Sequence, residues 1–301
     1  MSTSTPLQPK IRAAFERLID YAGLFPPAKL DMHAALAEYE SSRNGPYAWM
    51  LGRFVVPASR IEELLAQAEV SQIPLSVIVD AGSDARAWFG NAARILEKMR
   101  AYRDTEPRIS IEALEVPLPP LLSQRETYEA TIGQFAMLAE RHGLRDLPTY
   151  VELPRDTRFG ESIVPTMASF ARYGVGAKLR CGGVVASAVP SVEEVATFLA
   201  ASGDAGVSFK ATAGLHHPLR HFNDAAGFTM HGFLNILTAA AQRDASEATL
   251  VATLLREDAR DFDALDAAAL SKARQAFIAY GSCSFSEPVD DLVALSILPK
   301  A

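Results

Sequence analysis

The chain is short of the features that classify a protein at sight. It has two cysteines, Cys181 and Cys283, far apart and at no metal-site spacing. A disulfide framework is therefore not expected, and a reducing cytoplasm is the compartment that fits. It has no basic surplus: 29 Lys and Arg stand against 36 Asp and Glu, for a net charge of −7. Nucleic acid and anionic membrane are poor partners for such a chain. No uninterrupted apolar run reaches the roughly 18 residues of a membrane span. The opening MSTSTPLQPK is polar, without the apolar core of a secretory signal, and residues 1–8 read as disordered. There is no G-x-G-x-x-G after the first strand, no Walker sequence, no HxH or HExxH pattern and no repeat. No Pro/Ser/Gly-rich linker divides the rest, so 9–301 reads as one domain.

What is present is a regular alternation. Apolar residues make up 49% of the chain, enough for a large core. Eight β-type runs stand out: LIDYAGLF (18–25), WMLGRFVVP (49–57), PLSVIVDAG (74–82), RISIEALEVP (108–117), PTYVELP (148–154), VGAKLRCGG (175–183), VSFKATAG (207–214) and AFIAYGSCS (276–284). Between them SRIEELLAQAEV, ARAWFGNAARILEKMRAY, RETYEATIGQFAMLAERHG and SVEEVATFLAASG carry apolar residues at helical spacing. Ser191 and Glu194 have the spacing of a capping box, and Gly143 and Gly203 mark helix ends. Strict alternation implies parallel strands joined by crossover helices. Eight such units predict a single-domain α/β protein, a (β/α)8 TIM barrel, with a doubly wound sheet as the competitor. The segment at about 215–275, between strands seven and eight, is enlarged and predicts two helices, one around GFLNILTAAAQ.

In such a barrel, polar groups near the C-terminal ends of strands read as active-site groups. Asp20, Arg53, Asp80, Glu115, Glu152, Lys178, Arg180, Lys210 and Thr212 qualify. Side chains alternate along a strand. Lys178 and Arg180 thus share one face, as do Lys210 and Thr212, while the apolar set packs on helices. Two lysines on neighbouring strands would lie close, and Lys210 has few sequence neighbours to pair with. Burial and like charge both lower a lysine's pKa, so a nucleophilic neutral amine is the expectation. Glu115 could move the proton.

The two lysine strands resemble those of the deoxyribose-phosphate aldolases, Schiff-base enzymes with a lysine on strand six and a second in a G-F-K-x-[AS]-G-G setting on strand seven. GAKLRCGG and SFKATAG stand in those places. LIDYAGLFPPAKLD, RFVVPASRIEELL, ALEVPLPPL and YGSCS are similar to the family's first, second and fourth strands and its phosphate-holding turn. The resemblance implies a carbon–carbon lyase that needs no cofactor and acts on a small carbonyl substrate. Lys178 would form the imine, Lys210 would lower its pKa, and Glu115 would carry the proton. Asp20, on the opening strand, would help bind the substrate, and Gly182, Gly214, Gly281 and Ser282 would line an anion pocket. Arg180 and His216 would bind the substrate, a carboxylate being one alternative to phosphate. Assembly into a homo-oligomer stays open.

Other readings compete. A metal-dependent hydrolase or lyase could use His216, His217, His221 or His231 with Asp80, Glu115 or Glu152. A non-catalytic barrel could bind a small ligand or partner, with both lysines merely paired to carboxylates. The glycines also have a plain role in tight turns, and Cys181 reads as a small core residue.

Overall fold

A computed structural model describes residues 8–67, 71–121, 127–155, 159–183 and 185–300. Ten strands form among them: β1 (Ile19–Tyr21), β2 (Leu51–Pro57), β3 (Ile73–Ile78), β4 (Ile109–Pro117), β5 (Thr149–Glu152), β6 (Gly176–Arg180), β7 (Phe209–Thr212), β8 (His221–Asn223), β9 (Phe228–Met230) and β10 (Phe277–Ser282). Eight of them close a parallel barrel in the order β1-β10-β7-β6-β5-β4-β3-β2. The predicted TIM barrel is the observed architecture, and each predicted run contains its strand or nearly all of it. Residues 1–7 of the predicted disordered start lie outside the described residues, as do 68–70 and 125–126 of two predicted helices.

Alternation sorts each strand. On β7, Phe209 turns outward, its ring 5.4 Å from Phe198 on the helix Val192–Asp204 and 5.1 Å from Phe277 on β10. Its neighbour Lys210 turns inward. On β6, Ala177 and Leu179 are buried against the helical layer, and Lys178 points into the barrel. Burying a large apolar side chain contributes ~1.5–3 kcal/mol, so the outward set fixes which face the lysines take.

The segment between β7 and β10 departs from expectation. Instead of two helices it holds the β8–β9 hairpin, paired antiparallel with His221 opposite Met230, and then four helices. These are Phe233–Ala241, Glu247–Leu254, Arg260–Asp263 and Ala267–Ala276. The last of them begins after Asp266, whose side chain accepts from the Ala269 amide. Such caps interrupt a helical pattern without changing its period. The capping box forms: Ser191 accepts from the Glu194 amide and Glu194 from the Ser191 amide. Gly143 follows its helix at φ +64 as predicted, but Gly203 lies inside a helix that continues to Asp204, and Gly206, at φ +64, takes the left-handed position. The helix Phe159–Tyr173, which the apolar pattern did not predict, carries Pro165 within it. Proline there breaks the usual helix signal.

Candidate functional site: an ion column through the barrel

Lys178 and Lys210 are register partners on β6 and β7, and both side chains are sealed from solvent. Glu115 of β4 lies between them. Its Oε2 is 2.7 Å from Lys178 Nζ and its Oε1 is 2.6 Å from Lys210 Nζ. Lys210 also donates to Asp20 Oδ2 on β1 at 2.5 Å and to Ser76 Oγ on β3 at 2.9 Å. Ser76 in turn donates to Glu115 Oε1 at 2.6 Å. Lys178 has a second carboxylate, Glu152 Oε2 of β5, at 2.9 Å. The other oxygen of Glu152 takes Arg180 Nε at 2.9 Å.

The chain of charges continues toward the N-terminal ends of the strands. The Arg53 amide of β2 donates to Asp20 Oδ1 at 2.7 Å, and its guanidinium lies 3.7 Å from Asp20 Oδ2. Arg53 Nε is 3.2 Å from Glu112 Oε2, an ion pair outside hydrogen-bond alignment. Glu112 also takes Arg17 Nη2 at 2.7 Å. From one mouth to the other, the charges alternate: Arg17, Glu112, Arg53, Asp20, Lys210, Glu115, Lys178, Glu152, Arg180.

This pairing reverses one expectation. Burial and mutual repulsion would depress both amines. Burial does pull Lys178 down, but Glu115 and Glu152 pull it up further, and its pKa is raised. Lys210 behaves the same way, with Asp20 and Glu115 outweighing burial. Burial pushes Glu115 and Glu152 up, yet the lysines, with Arg180 for Glu152, leave both below the usual carboxylate range. A carboxylate inserted between two ammonium groups turns a like-charge pair into an alternating row. Lys210, poor in partners along the sequence, has three in space.

The barrel is similar to that of a solved aldolase. The chain is similar to deoxyribose phosphate aldolase from Aeropyrum pernix, a protein described as having a unique tetrameric structure. The likeness covers 96% of this chain and 93% of that one, with a TM-score of 0.50 and 12% identity. At that identity it is a likeness of fold. No family model matches the sequence, and no curated protein matches it.

The remaining candidates lie around the C-terminal mouth. Gly182, after β6, and Gly214, after β7, touch backbone to backbone: a Cβ on Gly182 would stand 2.8 Å from Gly214 Cα. Gly214 has φ +71, a conformation that suits glycine. Gly281 and Ser282 end β10, and the Ser282 hydroxyl donates to the Ser284 carbonyl at 2.6 Å. His216 Nδ1 lies 3.1 Å from Glu287 Oε2 and both ring nitrogens are 3.9 Å from Cys283 Sγ. Cys181 and Cys283 are both buried.

The residues weighed for a metal do not converge. His217 Nδ1 pairs with Asp291 Oδ2 at 2.5 Å, His221 Nδ1 lies 3.0 Å from the Leu219 carbonyl, and His231 Nε2 lies 2.8 Å from the Pro190 carbonyl. Asp80 accepts from the amide and hydroxyl of Ser59. Among the described residues no group of three or more His, Cys, Asp or Glu is placed to hold a metal ion.

Sequence reasoning missed Arg17, Ser76 and Glu112. Ser76 had a signal, as the one polar residue within the run Pro74–Val79. Glu112 had none. A register shift, Leu75 opposite Ile111 and then Ser76 opposite Ala113, lets it join the column despite its odd spacing from Glu115. A cleft of about 580 Å³ opens at the N-terminal end, lined by Arg17, Gly52, Gln72 and Glu112 among others. It lies at the opposite end from Lys178.

Proposed function

We propose that the chain is a carbon–carbon lyase of the Schiff-base type, acting on a small carbonyl compound with Lys178 as the nucleophile. The observation that carries this reading is the shared carboxylate: Glu115 holds an oxygen on each of two buried amines from adjacent strands, inside a barrel of aldolase fold. Assembly with further copies belongs to the same reading, through the tetramer of the Aeropyrum pernix protein.

The chemistry starts from an ammonium, not an amine. Lys178 must first pass a proton to Glu152 or Glu115, both within hydrogen-bond reach. Every unit by which the amine's pKa exceeds that of the acceptor costs about 1.4 kcal/mol. An arriving carbonyl reduces that cost by displacing the carboxylates from the amine. The nitrogen lone pair then forms the C–N bond, and the C=O pair moves onto oxygen. That oxygen takes a proton from the Lys210–Glu115 pair, and water leaves to give the imine. The substrate's β-hydroxyl gives its proton to Glu115 and becomes the carbonyl of the departing fragment, while the bond between the α and β carbons breaks and its electron pair passes to the cationic imine, leaving an enamine. Glu115 returns the proton, with Lys210 held in place by Asp20 and Ser76.

Borohydride in the presence of a small aldehyde or ketone tests this. The expected result is one stable adduct, mapped to Lys178 and absent from Lys178→Met. An adduct on surface lysines alone, equal in both proteins, would leave the column a purely structural feature.

A further inference from the structure

The mouth of the barrel has two chemically different sides. On one, Arg180 closes the column. Its Nε is fixed on Glu152 Oε1 at 2.9 Å, and no other atom of its guanidinium makes a hydrogen bond to a described residue. Its side chain is 43% exposed, against 4% for Lys178. One carboxylate bridges the two, so Arg180 is held next to the amine with the rest of its guanidinium unengaged among the described residues. Arg155, in the loop after β5, adds charge nearby. It bonds Glu194 through Nη2 at 2.9 Å, keeps a buried Nη1 with no hydrogen-bond partner among the described residues, and acts on Cys181 together with Arg180.

The other side, at the ends of β1, β7 and β10, is acidic. Tyr21 donates its hydroxyl to Glu38 at 2.8 Å, and His216 and His217 are engaged by Glu287 and Asp291. The Ser282 hydroxyl is spent on the Ser284 carbonyl. Burial holds the Cys283 thiol protonated, and Glu287 and Glu38 act in the same direction. An anion there would meet carboxylates and few free donors.

The count of charges points the same way. The column begins and ends in arginine, five cations against four anions. One negative charge at Arg180 neutralises it; a dianion over-compensates.

From this we infer that the carbonyl substrate is a short oxo acid, whose carboxylate is bound by the free edge of Arg180 while its uncharged end faces β1, β7 and β10. The inference rests on the Schiff-base reading and assigns the substrate class to that site. Lys178 and Arg180 are two positions apart on one strand face, about 6.6 Å of rise, which suits a carboxylate one to three bonds from the carbonyl carbon. A planar fork with two open N–H groups matches a carboxylate better than a point charge does.

The test compares pyruvate with acetone, two methyl ketones that differ by one carboxylate, in borohydride trapping on the full-length chain. The readout is the ratio of their half-saturating concentrations for the Lys178 adduct. In the native protein pyruvate is expected to saturate at least tenfold lower. Arg180→Met should bring the ratio near one, and Arg180→Lys, which keeps the charge and loses the fork, should fall between. Equal half-saturation in the native chain, a measurement needing no variant, would overturn the inference and leave the Schiff-base reading standing. So would a pyruvate preference that Arg180→Met leaves intact. If neither ketone traps on Lys178, the Schiff-base reading fails and takes this one with it.

Discussion

Glu115 and Glu152 outweigh burial and raise the Lys178 pKa, and that decides how the proposed Schiff-base chemistry must respond to pH. With the amine's pKa above its ordinary value, the neutral fraction near pH 7 is small and grows about tenfold per pH unit. The rate of adduct formation, with borohydride in excess so that imine formation limits it, should therefore climb from pH 7 to 10 without a plateau. Glu152 is one of the two anions that raise the amine. Glu152→Gln should bring the plateau to lower pH. A native profile already flat by pH 8 would mean a depressed amine, contrary to the alternating charges seen around it. Single removals inside the column are also costly to stability, since an uncompensated buried charge typically costs ~3–5 kcal/mol.

At the scale of the element, three register shifts matter as much as the side chains. They lie between β1 and β2, β3 and β4, and β10 and β7. Each adds a residue to one strand and re-aims the side chains beyond it. Between β1 and β2 the shift passes Gly52, on which a Cβ would collide with Asp20 Oδ1 and crowd the carbonyls of Ile19 and Arg17. Only a residue without a side chain lets β2 approach closely enough for the Arg53 amide to reach Asp20. Gly52→Ala is expected to destabilise the fold by ~2 kcal/mol or more, measured by urea unfolding. Gly90, within the helix Ala85–Thr105 and facing open space, is the internal comparison. Gly90→Ala should stabilise by ~0.5–1 kcal/mol. If both substitutions stabilise, Asp20 is not held through β2.

Over the whole molecule the column draws a side chain from every barrel strand except β10, once Ser76 is counted. Its protonation is thereby linked to the closure of the barrel. Glu115 and Glu152 have folded pKa values below their ordinary ones, so their contribution is present above ~pH 4.3 and is lost as pH falls through the folded values. Lys178 and Lys210 are raised, so theirs is complete below ~pH 10.4 and disappears as pH rises through the folded values. Melting temperature should then be level between about pH 5 and 10 as far as these four groups decide it, and fall on both sides. A steady loss of stability between pH 7 and 9 would contradict two raised lysines.

The sequence by itself determined the eight barrel strands, the barrel, and the inward face shared by Lys178 and Arg180 and by Lys210 and Thr212. Those follow from alternation and periodicity, which are local. It also placed Asp20 and Glu115 among the candidate groups, because they are polar positions in apolar runs. Only the tertiary structure decided the sign of the electrostatics. Whether two neighbouring amines repel or share a carboxylate depends on how the strands are staggered around a closed barrel, and three of its strand pairs shift register mid-strand. The enlarged segment before β10 escaped for a related reason: a short hairpin precedes its helices, and the helices are divided by caps that leave the apolar period unbroken. Proximity across a barrel is a property of closure, and no stretch of chain carries it alone.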